Sequence, residues 1–174
     1  LDKIASNTYV VHGPLEFPSK KNKGFMNNPG FVVTNTGVVV IDPGSTVQVG
    51  RMVLAKVKEV TNKQVTHVLN THIHGDTWLG NQAFADAFPE ALIMAHPDMI
   101  KRAKAGDAEQ WVSLMLTFTE GESKGTRAVI PEKVVTDQQV IKTGGVSFRI
   151  YAPEKAHSFT DIMIEVVEER VVFL

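Results

Sequence analysis

Residues 65–81 read Val-Thr-His-Val-Leu-Asn-Thr-His-Ile-His-Gly-Asp-Thr-Trp-Leu-Gly-Asn. The β-branched and apolar run over residues 65–69 is typical of a strand. His72, His74 and Asp76 follow it at alternate positions, where that strand ends. Imidazole nitrogens and carboxylate oxygens are the ligands that zinc prefers where no thiolate is available. Ligands at the end of a strand are also held more rigidly than ligands on a free loop. The stretch therefore predicts a metal site.

The composition sets limits on the class of protein. A chain of 174 residues with 43% apolar residues predicts a single domain over residues 1–174 with a substantial core. The formal net charge of -1, without a basic block, argues against a nucleic-acid partner. No apolar run approaches the roughly 20 residues of a membrane-spanning helix. The absence of cysteine excludes disulfides and thiolate–metal sites within these residues and leaves the compartment open.

The two ends of the chain carry separate expectations. The first residue is Leu rather than Met, which trimming of the chain or removal of a signal peptide would explain. Removal of a signal peptide would favour a periplasmic or secreted location. Residues 165–174 predict two strands joined by a short charged turn. The second of these strands stops at an apolar run of a kind that is normally buried and continued. We therefore expect a C-terminally incomplete chain that can self-associate through its last strand.

The pattern of elements predicts a mixed α/β fold. Strands are expected over residues 4–11, 65–69 and 91–95, with a loop over 13–30 and a hairpin over 31–42 that turns at Asn35–Gly37. Helices are expected after a cap at Ser45 or Thr46, around Phe84, from Pro97 and around Met115. From Lys133 onward strand follows strand. This order predicts a mixed sheet with helices packed outside it.

The remaining four histidines differ in what their surroundings predict. His12 precedes Gly-Pro and is expected in a turn, whereas His67 lies within a strand and is expected to bond within the sheet. His96 ends a strand before a helix and is expected to cap or pack rather than to bind metal. His157 lies where a strand runs into a loop, and its spacing leaves a role as third metal ligand open.

The motif and its flanking segments resemble one family. The segment from Asn70 to Asp76, followed by Gly80-Asn81, resembles the H-x-H-x-D signature of the metallo-β-lactamase superfamily. Residues 31–42 resemble the N-terminal hairpin of that family, which ends in Asp. Ala156-His157-Ser158 resembles its downstream third histidine. The order and spacing of these features agree over nearly the whole chain.

The resemblance implies a fold and a set of ligands. The fold is an αβ/βα sandwich with the metal site at one edge, here lacking its last strands and helix. One zinc ion is assigned to His72, His74 and His157. Asp76 is assigned to a second metal, or to the bound water when one metal is present, and Asp42 is placed beside the site. From the residues alone, Asp42 before Pro-Gly is an ordinary turn residue.

Thr77 is the main departure from the family pattern. Many members have His directly after the Asp of the motif, where it binds the second metal, and Thr is a poor substitute for that ligand. Other members take a Cys or an Asp from a position that falls after Leu174. We therefore expect one zinc site and no complete second site within these residues.

The expected activity is hydrolysis of a small carbonyl compound. Zinc lowers the pKa of bound water to about 7, and the resulting hydroxide attacks a β-lactam-like amide, an ester or a thioester. Asp76 is the expected catalytic residue, since it can orient the water or take its proton. Two alternatives stay open. One is a thioesterase of the glyoxalase II kind, and the other is a catalytically silent metal-binding member that acts through protein interaction.

Overall fold

The computed structural model describes residues 1–174. Its eleven strands are β1 (Asp2–Lys3), β2 (Thr8–Val10), β3 (Gly30–Val33), β4 (Val38–Ile41), β5 (Val65–Leu69), β6 (Leu92–Ala95), β7 (Lys133–Val134), β8 (Val140–Thr143), β9 (Val146–Tyr151), β10 (Met163–Val166) and β11 (Val171–Phe173). Its five α-helices are α1 (Val47–Val60), α2 (Gly75–Trp78), α3 (Asn81–Ala87), α4 (Pro97–Arg102) and α5 (Ala108–Phe118). A kinked turn over Ala103–Asp107, with Gly106 at a φ of 122°, joins α4 to α5, and a 3-10 helix covers Val167–Glu169.

The larger sheet brings the polar strand ends together. Its seven strands run in the order β1 to β7, antiparallel as far as β4 and parallel from β4 to β7. Parallel strands end at the same edge of a sheet, where open α/β folds bind their ligands. The register pairs Ile41 with Leu69. Asp42, which follows β4, is therefore expected beside Asn70 and Thr71, which follow β5.

Strand β4 shows why the apolar run of the hairpin is unbroken. Val38 and Val40 face the core under the helices, whereas Val39 and Ile41 face the smaller sheet. A strand covered on both faces has no solvent side, so its sequence does not alternate between apolar and polar residues. The predicted hairpin is confirmed, with Thr34 and Gly37 bonding across its turn.

The smaller sheet has four antiparallel strands in the order β11-β10-β9-β8. Strand β9 alternates, and its buried residues Val146, Phe148 and Ile150 pack against the larger sheet. On its other face Arg149 forms an ion pair of 3.2 Å with Glu165 of β10. Helices, larger sheet and smaller sheet thus form a mixed α/β sandwich, which confirms the fold that the family resemblance implies.

The helix layer begins as the sequence predicts. The Thr46 hydroxyl accepts a hydrogen bond of 3.1 Å from the Val49 amide and caps α1. Val49, Val53 and Val57 of that helix are buried against the larger sheet, at the spacing of one helix face.

The C-terminal strand pair is also confirmed. Strands β10 and β11 pair across the 3-10 helix, and β11 lies at the edge of the smaller sheet. Val172 and Leu174 are exposed there. Self-association through this edge stays a prediction.

None of the helices combines the length and the apolar character that crossing a lipid bilayer requires.

Candidate metal centre

The motif loop after β5 is held rigidly by buried polar contacts. Asn70 and Asn81 exchange two side-chain hydrogen bonds of 3.0 and 2.8 Å, and both residues are fully buried. The Trp78 indole donates a hydrogen bond of 2.8 Å to the carbonyl of Ile73, the residue between the two motif histidines. The loop is therefore fixed from both sides before any ligand binds.

His157 approaches the motif from the smaller sheet. It lies in the connection between β9 and β10, and the Ile162 amide at the end of that connection donates a hydrogen bond of 2.8 Å to the Thr71 carbonyl. The contact joins the two sheets at the edge where the parallel strands end. His157 thus meets His72 and His74 although it lies 83 residues beyond His74.

The three histidines form one compact group. Their ligand nitrogens lie within 4.8 Å of one another, and His74 Nδ1 is 2.8 Å from His157 Nε2. The ring planes are nearly perpendicular in each pair, at 86°, 87° and 87°. Tetrahedral zinc with Zn–N bonds of 2.0–2.1 Å needs nitrogens about 3.3 Å apart. The donor type, number and spacing therefore fit a metal ion.

Burial keeps two of these imidazoles neutral. It lowers the pKa of His72 to about 4, with Asp76 opposing the shift and His74 adding to it. Burial, followed by the neighbouring His157, also lowers the pKa of His74. A metal ion binds the neutral imidazole, so protons compete weakly for His72 and His74 at neutral pH.

A relay from Asp42 sets the tautomer of His72. The Thr71 hydroxyl donates a hydrogen bond of 2.6 Å to Asp42 Oδ2 and lies 2.9 Å from His72 Nδ1. Having given its proton to the carboxylate, the hydroxyl can only accept from His72 Nδ1–H. The lone pair of His72 is then on Nε2, the nitrogen left for a metal.

Asp42 itself is held in an unfavourable state. Its φ of 51° places it in the left-handed region, which non-glycine residues seldom occupy.

Burial raises the pKa of the Asp42 carboxyl to about 7. Two hydrogen bonds from Thr71 lower this pKa, and the charge of Asp76 raises it. The relay therefore depends on a carboxylate that is ionised only near neutral pH and above.

Asp42→Asn is expected to weaken metal binding. The Asn amide would donate to the Thr71 hydroxyl, which would then donate to His72 Nδ1 and move the imidazole proton to Nε2. Loss of such an outer-shell partner costs about 10–100-fold in metal affinity. The difference from wild type should be largest at about pH 8, where Asp42 is ionised, and should shrink at about pH 5.5, where the wild-type carboxyl is itself protonated.

A zinc competition titration at both pH values measures this effect. Asp86→Asn, which changes an exposed carboxylate paired with Arg127, is the control and should bind zinc as wild type does. Equal affinities of wild type and Asp42→Asn at both pH values would contradict the relay.

Asp76 lies beside the histidines but outside their group. It occupies the first turn of α2 and is half-buried, and its charge acts on His72, His74 and Asp42. The group within 4.8 Å contains the three histidines alone. Its roles as second-metal ligand or as base stay predictions.

Thr77 forms hydrogen bonds to the backbone of the motif. It is buried, and its hydroxyl donates to the carbonyls of His72 and His74 at 3.3 and 3.0 Å. The side chain thus stabilises the backbone of the motif, and its hydroxyl proton is used on backbone carbonyls.

The other histidines lie apart from this group. His12 pairs with Asp2 at the surface, and the ring of His67 bonds with the Thr66 hydroxyl in β5. His96 caps α4 by accepting a hydrogen bond from the Asp98 amide, which confirms the predicted capping role.

Two features border the histidines. The Trp111 ring lies 5.5 Å from the His74 ring, and a Cβ added at Gly75 would come within 2.8 Å of Trp111, so glycine is required at that position. On the other side a cavity of about 420 Å³ is lined by His72 and His157. Sequence reasoning missed Trp111 because nothing in the helical pattern of α5 indicates which face meets the site.

Comparison with known proteins agrees with this geometry. The sequence model of the metallo-beta-lactamase superfamily matches residues 22–174. The chain belongs to the metallo-beta-lactamase superfamily. No curated protein matches its sequence significantly.

Solved structures share the fold at low sequence identity. A B3 metallo-beta-lactamase with an active-site glutamic acid has a TM-score of 0.67 at 20% identity, over 94% of this chain and 55% of that one. A metallo-beta-lactamase from Pontibacter korlensis has a TM-score of 0.71 at 16% identity, over 99% of this chain and 68% of that one. The sec-alkyl sulfatase PisA1, as a double mutant, has a TM-score of 0.65 at 15% identity, over 83% of this chain and 27% of that one.

These comparisons confirm the predicted family and fold. The chain spans about half of the first of these structures, and the low identities establish the fold alone.

Proposed function

We propose that this protein is a zinc-dependent hydrolase whose metal is held by His72, His74 and His157. The convergence of three imidazole nitrogens within 4.8 Å carries the proposal. Catalytic zinc sites commonly use three protein ligands and keep a position open for water or substrate. Membership of a superfamily of metal-dependent hydrolases supports the same function.

Zinc is the metal that this donor set favours. All three ligands are neutral nitrogen donors, and the chain has no cysteine to offer. A single site is proposed, because Thr77 uses its hydroxyl on the backbone of the motif and supplies no second-metal ligand.

The residues of the proposed site have two roles, metal binding and proton transfer. The histidines hold the metal, and the Asp42–Thr71 relay keeps His72 in the binding tautomer. When bound, zinc lowers the pKa of water and polarises a carbonyl oxygen. Asp76 is proposed as the catalytic residue that takes and returns the proton of the attacking water, because its carboxylate lies beside the histidines but outside their group.

The proposed substrates are small carbonyl compounds such as a β-lactam, an ester or a thioester. The cavity beside His72 and His157 has an apolar wall that includes Ile162 and Met163, which suits a neutral acyl group. The fold does not choose among these substrates, since a sulfatase shares it.

A catalytically silent metal-binding protein is the second candidate. Its support is Thr77, which occupies the position where a second-metal histidine would be expected and is engaged with the backbone instead. Such a protein would keep the three-histidine site and act through a partner.

Metal removal separates the two candidates. We expect about one zinc ion per chain, loss of turnover on treatment with a chelator, and recovery when zinc is added. Hydrolysis is measured with a carbapenem and with a glutathione thioester, so that a β-lactamase and a thioesterase of the glyoxalase II kind are distinguished. Turnover that persists in metal-free protein would contradict the proposal. Zinc binding without turnover of either substrate would favour the silent protein.

A further inference from the structure

The loop that carries His157 contains a directional chain of hydrogen bonds. The Ile73 amide donates to Thr160 Oγ1 at 3.0 Å, and Thr160 Oγ1 lies 2.9 Å from Ser158 Oγ. Ser158 Oγ donates to Asp161 Oδ1, and the Ser158 amide donates to Asp161 Oδ2 at 2.7 Å. Because the Ser158 proton goes to the carboxylate, the Thr160 hydroxyl must donate to Ser158. We call Thr160, Ser158 and Asp161 the loop network.

The ends of this network lie next to all three histidines. Ile73 is the residue between His72 and His74, and Ser158 directly follows His157. The network therefore connects the backbone between two proposed ligands to the backbone beside the third. The two segments are 87 residues apart at the Ile73–Thr160 bond.

Asp161 is the anchor of the network and is not itself a ligand of the histidine group. Both of its oxygens accept hydrogen bonds from Ser158, and it lies outside the group of nitrogens within 4.8 Å. Burial lowers the pKa values of His72 and His74, and the charge of Asp161 acts in the opposite direction. The same charge would favour a metal cation bound nearby.

Burial makes the central hydroxyl hard to replace. Thr160 is 0% exposed and Ile73 is 1% exposed, so water has little access to their hydrogen bond. Removing the hydroxyl would leave the Ile73 amide without a partner in the interior, and the backbone would shift to recover one.

We propose that the loop network positions His157 against His72 and His74 and thereby sets the metal affinity. Three flexible imidazoles bind a metal tightly only when their orientation is fixed in advance. The inference rests on the proposed function, because it takes the three histidines as the metal ligands.

Thr160→Val in the full chain tests the network. The substitution keeps the shape of the side chain and removes its hydroxyl, and we expect zinc affinity to fall by about 10–100-fold. Bound Co²⁺ should also show a changed visible absorption spectrum, because the geometry of its ligands changes. Thr160→Ser, which restores the hydroxyl, should return both readouts to wild type.

A matched control separates positioning from general stability. Thr119 is also fully buried, and its hydroxyl donates to the Met115 carbonyl and accepts from the Ser123 amide, away from the histidines. Thr119→Val should lower the thermal stability of the metal-free protein as Thr160→Val does, and should leave zinc affinity and the Co²⁺ spectrum unchanged. If Thr160→Val does not fold, the half-buried loop residues Ser158 and Asp161 offer a second test. Ser158→Ala and Asp161→Ala are expected to give the same loss of affinity.

The outcomes distinguish the inference from the proposed function. The positioning role would be overturned if Thr160→Val bound zinc with wild-type affinity and gave an unchanged Co²⁺ spectrum. If Thr160→Val does not fold, the same result in both Ser158→Ala and Asp161→Ala would overturn it. If His157→Ala binds zinc as tightly as wild type, the metal centre itself is wrong. Loss of zinc in His157→Ala with full affinity in the network variants would leave the metal centre in place and overturn the network alone.

Discussion

Replacing His72 with alanine is expected to remove both the bound zinc and the hydrolytic turnover. His72 is the most deeply enclosed of the three histidines, and the Asp42–Thr71 relay orients its free nitrogen. Loss of a direct ligand should exceed the roughly 10–100-fold loss of affinity that an outer-shell change causes. With the metal gone, the water that attacks the carbonyl loses its activation, so turnover should fall to background.

Zinc content by metal analysis and turnover of the best substrate measure this effect. His96→Asn is the matched control, because it removes an imidazole while keeping a side chain that can cap α4. That variant should keep both zinc and turnover. A His72→Ala protein that retains both would refute the proposed centre.

Asp76→Asn is expected to keep the zinc and lose most of the turnover. The three-histidine group does not include Asp76, so one zinc ion per chain should remain. Asn cannot take a proton from the attacking water, and general acid–base catalysis contributes about 10²–10⁴-fold to rate. We therefore expect kcat to fall by about that factor.

Asp98→Asn provides a control with the same local setting. Asp98 follows a histidine N-cap by two residues in the first turn of α4, as Asp76 does in α2, but its side chain is exposed and its charge is not among those that shift the pKa values of His72 and His74. Its replacement should leave kcat unchanged. An unchanged kcat in Asp76→Asn would contradict the catalytic role, whereas loss of a second equivalent of metal would assign Asp76 to a two-metal centre.

Much of the fold was predictable because it depends on local patterns. The apolar run of β4, the Thr46 cap of α1 and the alternation in β9 each follow from burial or backbone geometry within a few residues. The hairpin turn and the final pair of strands were predictable for the same reason.

The position of Asp76 shows that spacing along the sequence does not by itself predict which side chains lie together. Alternate positions share a face only while the chain stays extended. The chain enters α2 at Gly75, directly after His74, so the regular spacing from His72 to Asp76 does not bring all three side chains into one group. The sequence motif therefore indicates nearby chemistry but does not by itself assign the ligands.

The sequence by itself determined the elements of the sandwich and the presence of a metal motif at the end of β5. Periodicity and spacing act over a few residues, and these features need nothing more. Only the tertiary structure brought His157 to within 2.8 Å of His74, placed Thr71 between Asp42 and His72, and gave Thr160 its bond to Ile73. The contacts Asp42–Thr71, His74–His157 and Ile73–Thr160 join residues that lie 29, 83 and 87 positions apart. They exist because neighbouring strand ends of the larger sheet and a loop of the smaller sheet meet at one shared edge.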